Sequence, residues 1–163
     1  MRNSQVWRGR IIRFAPLFLW IGVIFYLSGD SAAMSETSRY VRPLLEFLFP
    51  TAPEGTLQIY HGYVRKAAHF AEYAVLAFLA LGAFSDSPIV GVKKLRYLLP
   101  MFLVAAIAVM DELNQSFLAS RTGSVWDVLL DISGGLAMVL FLWAANLRRG
   151  KLNQNDGKSS NTD

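Results

Sequence analysis

Two groups of ionisable residues sit at the ends of apolar runs. One is Arg65-Lys66-Ala67-Ala68-His69-Phe70-Ala71-Glu72-Tyr73. The other is Asp111-Glu112-Leu113-Asn114-Gln115, followed by Arg121, Asp127 and Asp131. Charge is expensive to hold inside a bilayer. Where it persists, it faces a bundle interior or a wet cavity and marks a functional site. The residue types define the available chemistry. Arg65, Lys66 and Arg121 suit phosphate or carboxylate. The five acids Glu72, Asp111, Glu112, Asp127 and Asp131, with Gln115, can receive sugar hydroxyls, amines or a divalent cation. His69 with Glu72 or Asp111 makes an acid/base pair, and Tyr73 completes the candidate ligand-binding set.

Spacing places these groups on shared faces. Arg65, His69 and Glu72 stand at i, i+4 and i+7, while Asp111 with Gln115 and Asp127 with Asp131 are i, i+4 pairs. Counting inward from the outer ends of the apolar runs, His69 lies about 7 Å deep, Glu72 about 12 Å, Asp111 and Glu112 roughly 8–9 Å, Asp127 about 3 Å and Asp131 about 9 Å. One layer then collects five acids against Arg65, Lys66, Arg121 and His69. With every acid ionised that layer is net negative, so its carboxyls either keep protons or are neutralised by a cation, a metal or a ligand.

Four apolar blocks must position this layer: 11–27, about 64–84, about 97–117 and about 125–145. The first is at the lower limit for a spanning helix and the others are long enough to cross. Just over half of the 163 residues are hydrophobic (53%) and 17% are charged, against roughly 45–50% and 25% in soluble domains. The reading is an all-α membrane protein with four transmembrane helices in a bundle. Eleven of the sixteen Lys and Arg residues lie before the first block or at its start (Arg13), between the second and third, or after the fourth. The positive-inside rule then puts both termini in the cytoplasm and the two polar loops outside. The domain limits follow: a cytoplasmic amino terminus over 1–10, a membrane domain over 11–147 and a polar, disordered cytoplasmic tail over 148–163. A competing reading makes the first block a cleaved signal peptide, with Ser31-Ala32-Ala33 as the cleavage site. In the first outer loop Val41, Leu44, Leu45 and Leu48 recur at helical spacing and predict a short amphipathic helix. Pro43 is compatible with it only in the first turn. A plain surface loop is the alternative.

The chain has no cysteine, which excludes disulfides, thiolate metal sites and cysteine lipidation. The net charge of +4 is concentrated in flanks and loops. It reads as topology marking, and no nucleic-acid partner is expected. Single residues also have structural readings. Ser124-x-x-Asp127 fits a capping box, and Arg65 and Lys66 fit interfacial anchors. Arg121 fits an ion pair across its loop, and His69 a packing hydrogen bond. Gly134 and Gly135, and the series Ala67, Ala71 and Ala74, fit close helix approach.

The pattern Arg65-Lys66-x-x-His69-Phe70-x-Glu72-Tyr73, Asp111-Glu112-x-x-Gln115-x-Phe117, Arg121 and Asp127-Val128-Leu129-x-Asp131-x-x-Gly134 resembles the VanZ-like family of bacterial integral membrane proteins. The resemblance covers about 65–140, and the first block and the Ser-rich stretch after it are similar too. Ala119-Ser120 departs from the Pro-Gly of many relatives and alters the turn before Arg121. The resemblance implies a multi-pass protein of the bacterial plasma membrane, a link to glycopeptide (teicoplanin) resistance and a site at the quoted residues, but no reaction. Three functions remain open: a module binding a polar head group on a lipid, a cell-wall precursor or a glycopeptide; an enzyme acting on such a head group; and a small transporter or assembly subunit, as a homo-oligomer.

Overall fold

A computed structural model describes the backbone of residues 2–29, 34–85, 91, 94–117 and 124–159, and the side chains of 12–29, 37–85, 91, 94–117 and 124–147. Five helices follow one another: α1 (Arg2–Ser28), α2 (Met34–Leu48), α3 (Glu54–Ser85), α4 (Leu98–Ser116) and α5 (Val125–Ser159). Among the described residues there is no strand. The helices Glu54–Ser85 and Leu98–Ser116 and the segment Val125–Leu147 are long and apolar enough to cross a membrane, and Ile12–Ser28 is a shorter apolar helix.

Helix α3 is the centre of the bundle, packed against all four others. Its buried face carries Tyr73, Leu76, Ala77, Ala80, Leu81 and Ala83, which meet Leu17 and Ile24 of α1, Val104, Ile107 and Ala108 of α4, and Val139 of α5. The close approach of α5 depends on two glycines. A Cβ on Gly134 would stand 2.2 Å from the carbonyl oxygen of Phe70, and one on Gly135 would stand 2.7 Å from Cγ1 of Val104. The expectation for Gly134 and Gly135 therefore holds. The expectation for the alanines does not: Ala67 and Ala71 are exposed and Ala74 is half-buried. The packed face of α3 is set by its large apolar side chains, and the small residues that serve it are Ala77, Ala80 and Ala83.

Three element boundaries differ from those read in the sequence. Helix α3 starts at Glu54, well before 64. The carbonyl of Pro53 accepts from the amides of Thr56 (2.9 Å) and Leu57 (3.1 Å), and no proline follows to stop the helix. Glu54 also suits the positive end of the helix dipole. The amphipathic helix is present as α2, but it starts at Met34, so Pro43 lies well past the first turn. Pro43 and Arg39 are both exposed, so the carbonyl that the ring leaves without an amide partner faces outward and costs little. Finally, α5 is helical to Ser159, whereas 148–163 read as disordered. The stretch is polar and contains no proline, and Arg148, Arg149, Lys151, Leu152 and Gln154 favour a helix over its first turns.

Helix α2 lies along the start of α3. Leu45 is buried between them. Arg42 bonds Glu46 at 2.8 Å and Glu54 at 2.5 Å, and Phe49 packs on Tyr60 with ring centroids 4.8 Å apart. The bond from Glu46, then the charge of Glu54, raise the pKa of Arg42, so its guanidinium stays charged.

Candidate functional site

Three helices deliver polar side chains to one level of the bundle, at the end covered by α2. Helix α3 brings His69, Glu72 and Tyr73; α4 brings Asp111, Glu112 and Gln115; α5 brings Asp127 and Asp131. Their meeting follows from the packing just described. Gly134 is one turn from Asp131, and the Phe70 carbonyl it touches is next to His69. The glycine contact thus sets the Asp131–His69 separation.

His69 Nδ1 is 3.7 Å from Asp131 Oδ1 and 3.9 Å from Glu72 Oε2. Gln115 Nε2 donates to Asp111 Oδ2 at 3.0 Å. Tyr73 is 0% exposed, and Asp111 and Asp131 are each 1% exposed. Glu112 and Gln115 are buried as well. Yet Asp111 Oδ1 and both carboxylate oxygens of Asp131 have no well-formed hydrogen bond among the described residues, and the buried Tyr73 hydroxyl lies beside Asp111 without a well-formed bond to it. Buried polar atoms are normally satisfied, so four such atoms in one place call for an explanation. Asp111, Glu112, Asp127 and Glu72 all lie close enough to act on the charge of Asp131. A metal ion fits this donor set: one ligand atom each from His69, Asp111 and Asp131 lies within 4.8 Å of the others.

The remaining predicted residues divide. Arg65 is half-buried beside the cluster and acts on the charge of Glu112. Lys66 is exposed. Arg121 falls outside the described residues. Asp127 is half-buried and does not close a capping box. Ser124 Oγ accepts from the amide of Trp126 at 3.2 Å, as an N-cap should, but the Ser124 amide donates to Glu112 Oε1. Helix α5 is therefore capped through the cluster itself.

A cleft of about 170 Å³ opens onto this site beneath α2. It is lined by Thr37 and Val41 of α2 and by His61, Arg65, His69 and Glu72 of α3, among others. A second cleft of about 260 Å³ continues along α2 past Ser38, Arg42, Glu54, Gln58 and His61. His61 belongs to both and is bonded to Thr37 Oγ1 through Nε2 at 3.2 Å. Sequence reasoning missed His61 because it began the helix at 64. With the true start, His61, Arg65, His69 and Glu72 form one stripe at i, i+4, i+8 and i+11. It also missed Trp20, whose indole Nε1 donates to the backbone carbonyl of Glu72 at 3.0 Å and fixes α1 against the site. Ser28, buried at the end of α1, receives Asn114 Nδ2 at 3.5 Å.

Comparison with known proteins finds no match among curated proteins and none among solved structures. The family model VanZ/LLP1 matches residues 14–146. That span takes in α1 from Phe14 onward, the α2 cover and every described residue of the polar site, so the chain belongs to the VanZ-like family.

Proposed function

We propose that this protein binds a polar head group in the cleft beneath α2, from the outer side of a bacterial plasma membrane, with both termini in the cytoplasm. One observation carries the reading. His69 lines the cleft and also stands 3.7 Å from Asp131, so a group entering the cleft reaches the buried acids through one side chain. Arg65 on the cleft wall suits a phosphate or carboxylate. Thr37, His61 and Glu72 offer hydrogen bonds to hydroxyls or amines. The ligand class is a lipid, a lipid-linked cell-wall precursor or a glycopeptide, and sequestering one of these would alter glycopeptide susceptibility, teicoplanin included. The Lys and Arg distribution supports the orientation.

Binding to the purified protein in nanodiscs tests the reading. One head-group class binds in preference to the others, and Arg65→Gln weakens it about 10-fold or more, as expected for a lost charge-assisted hydrogen bond. Equal or absent binding of all three classes refutes it. The lack of native cysteine makes orientation testable. A cysteine at Gln58 reacts with an impermeant maleimide on intact cells, and one at Lys94 reacts only after lysis; the reverse pattern overturns the topology. A second reading, hydrolysis of the head-group phosphoester, is favoured by the His and carboxylate donors that could activate water. Release of free head group, lost in His69→Gln, would identify it.

A further inference from the structure

We propose that His69, Asp111 and Asp131 hold one divalent first-row transition-metal ion, which deepens the head-group reading by giving that site its central charge. Each residue comes from a different helix, and one donor atom of each lies within 4.8 Å of the others. Metal–ligand bonds of about 2.1 Å place neighbouring ligand atoms roughly 3–3.5 Å apart. His69 Nδ1 and Asp131 Oδ1, at 3.7 Å, are almost at that separation. Small side-chain rotations close the rest.

The second observation concerns the unused atoms. Asp111 and Asp131 are each 1% exposed, and Asp111 Oδ1 and both Asp131 oxygens lack a well-formed hydrogen bond among the described residues. Asp111 Oδ2 is occupied by Gln115. That is how an outer partner orients a ligating carboxylate, leaving its other oxygen for the ion. Among the described residues no Lys or Arg pairs with either aspartate; His69 is the only basic side chain in ion-pair range. Two buried carboxylates in that position need a positive centre, and an ion supplies it without a long side chain.

The donor set selects the class of ion. Two carboxylates and an imidazole suit Mn²⁺, Fe²⁺ or Zn²⁺, whereas Ca²⁺ and Mg²⁺ favour all-oxygen shells. Three protein ligands leave coordination positions open. An anionic oxygen of a head group in the cleft could fill one of them, beside His69.

The test uses full-length protein in detergent, stripped with a chelator and then titrated with Zn²⁺ and Mn²⁺. Metal content should reach one ion per chain. Asp131→Asn and His69→Gln should each lower affinity well over 10-fold, and Gln115→Ala roughly 10–100-fold as an outer-shell change. Glu46→Gln, on the exposed side of α2, should leave affinity unchanged. Replacement by Co²⁺ in the wild type gives a measurement that no variant's folding can confound: a strong visible absorption supports ligation by the protein. Uptake far below one ion per chain, an unchanged Co²⁺ spectrum, or wild-type affinity in both Asp131→Asn and His69→Gln overturns the proposal. Metal bound with no head-group affinity upholds the cation site and refutes the proposed function. Head-group affinity in a protein that takes up no metal does the opposite.

Discussion

Gly134→Ala probes the contact on which the site is built. The new Cβ would lie 2.2 Å from the Phe70 carbonyl oxygen, 3.0 Å from its carbon and 3.1 Å from its Cα. All three are backbone atoms of a neighbouring helix, so no rotamer change relieves the overlap. An ordinary carbon–oxygen contact needs about 3.4 Å, so α5 must move away from α3 by about 1 Å at this crossing. Overpacking of this kind costs about 1–3 kcal/mol. The same displacement stretches the His69–Asp131 separation, now 3.7 Å, because Asp131 and Gly134 share a face of α5. Stability and the site therefore fail together. Thermal unfolding in detergent, followed by helical circular dichroism, measures the first effect, and metal titration the second. Two glycines calibrate the result. At Gly82 an added Cβ meets nothing within 4 Å, so Gly82→Ala should be neutral or stabilising by up to about 1 kcal/mol through helix propensity. At Gly135 the overlap is with a valine side chain and is smaller, 2.7 Å from Cγ1 of Val104, so the loss should be smaller than at Gly134. Gly134→Ala as stable as Gly82→Ala, with cation affinity retained, would refute the packing argument.

Three further outcomes are expected. Trp20→Phe keeps the apolar contact of α1 but removes the hydrogen bond to the Glu72 carbonyl, and should cost about 1 kcal/mol in thermal unfolding; no loss would refute a stabilising role for that bond. Leu45→Ala, at a position 5% exposed between α2 and α3, should cost about 2–4 kcal/mol of the docking of α2. Hydrogen exchange over Met34–Leu48 should accelerate accordingly, while Arg42→Gln, which breaks two exposed ion pairs, should leave exchange unchanged. Ser124→Ala removes the N-cap of α5 and should cost about 1 kcal/mol, seen as faster exchange in the first turn of that helix.

Much of the architecture was legible in the chain because apolar runs and breakers are local signals. The long runs at 64–84 and 125–145 lie within α3 and α5, the run at 97–117 contains α4 with one residue to spare at each end, and the Val41–Leu48 pattern appears within α2. Polar stretches misled. The start of α3 and the end of α5 contain no proline and carry no long apolar run to announce them, so their helices run further than hydropathy implied. His61 was lost with that boundary. The capping-box reading of Asp127 failed for another reason. Ser124-x-x-Asp127 carries the right residues, but Glu112 from a different helix takes the amide that Asp127 would have received.

From the order of residues alone follow the membrane class, the family and the faces on which His69, Glu72, Asp111, Gln115 and Asp131 lie, because helical periodicity is a property of each segment by itself. The rotation of one helix against the next is not. It depends on which side chains interlock and on where two backbones can touch. Only the folded bundle decides that the 73, 76, 77 and 80 face of α3 is the packed one, that Gly134 rests on Phe70, and that three donors from three helices converge within 4.8 Å. Spacing can aim a side chain toward a partner helix; steric contact between helices sets the distance at which they meet.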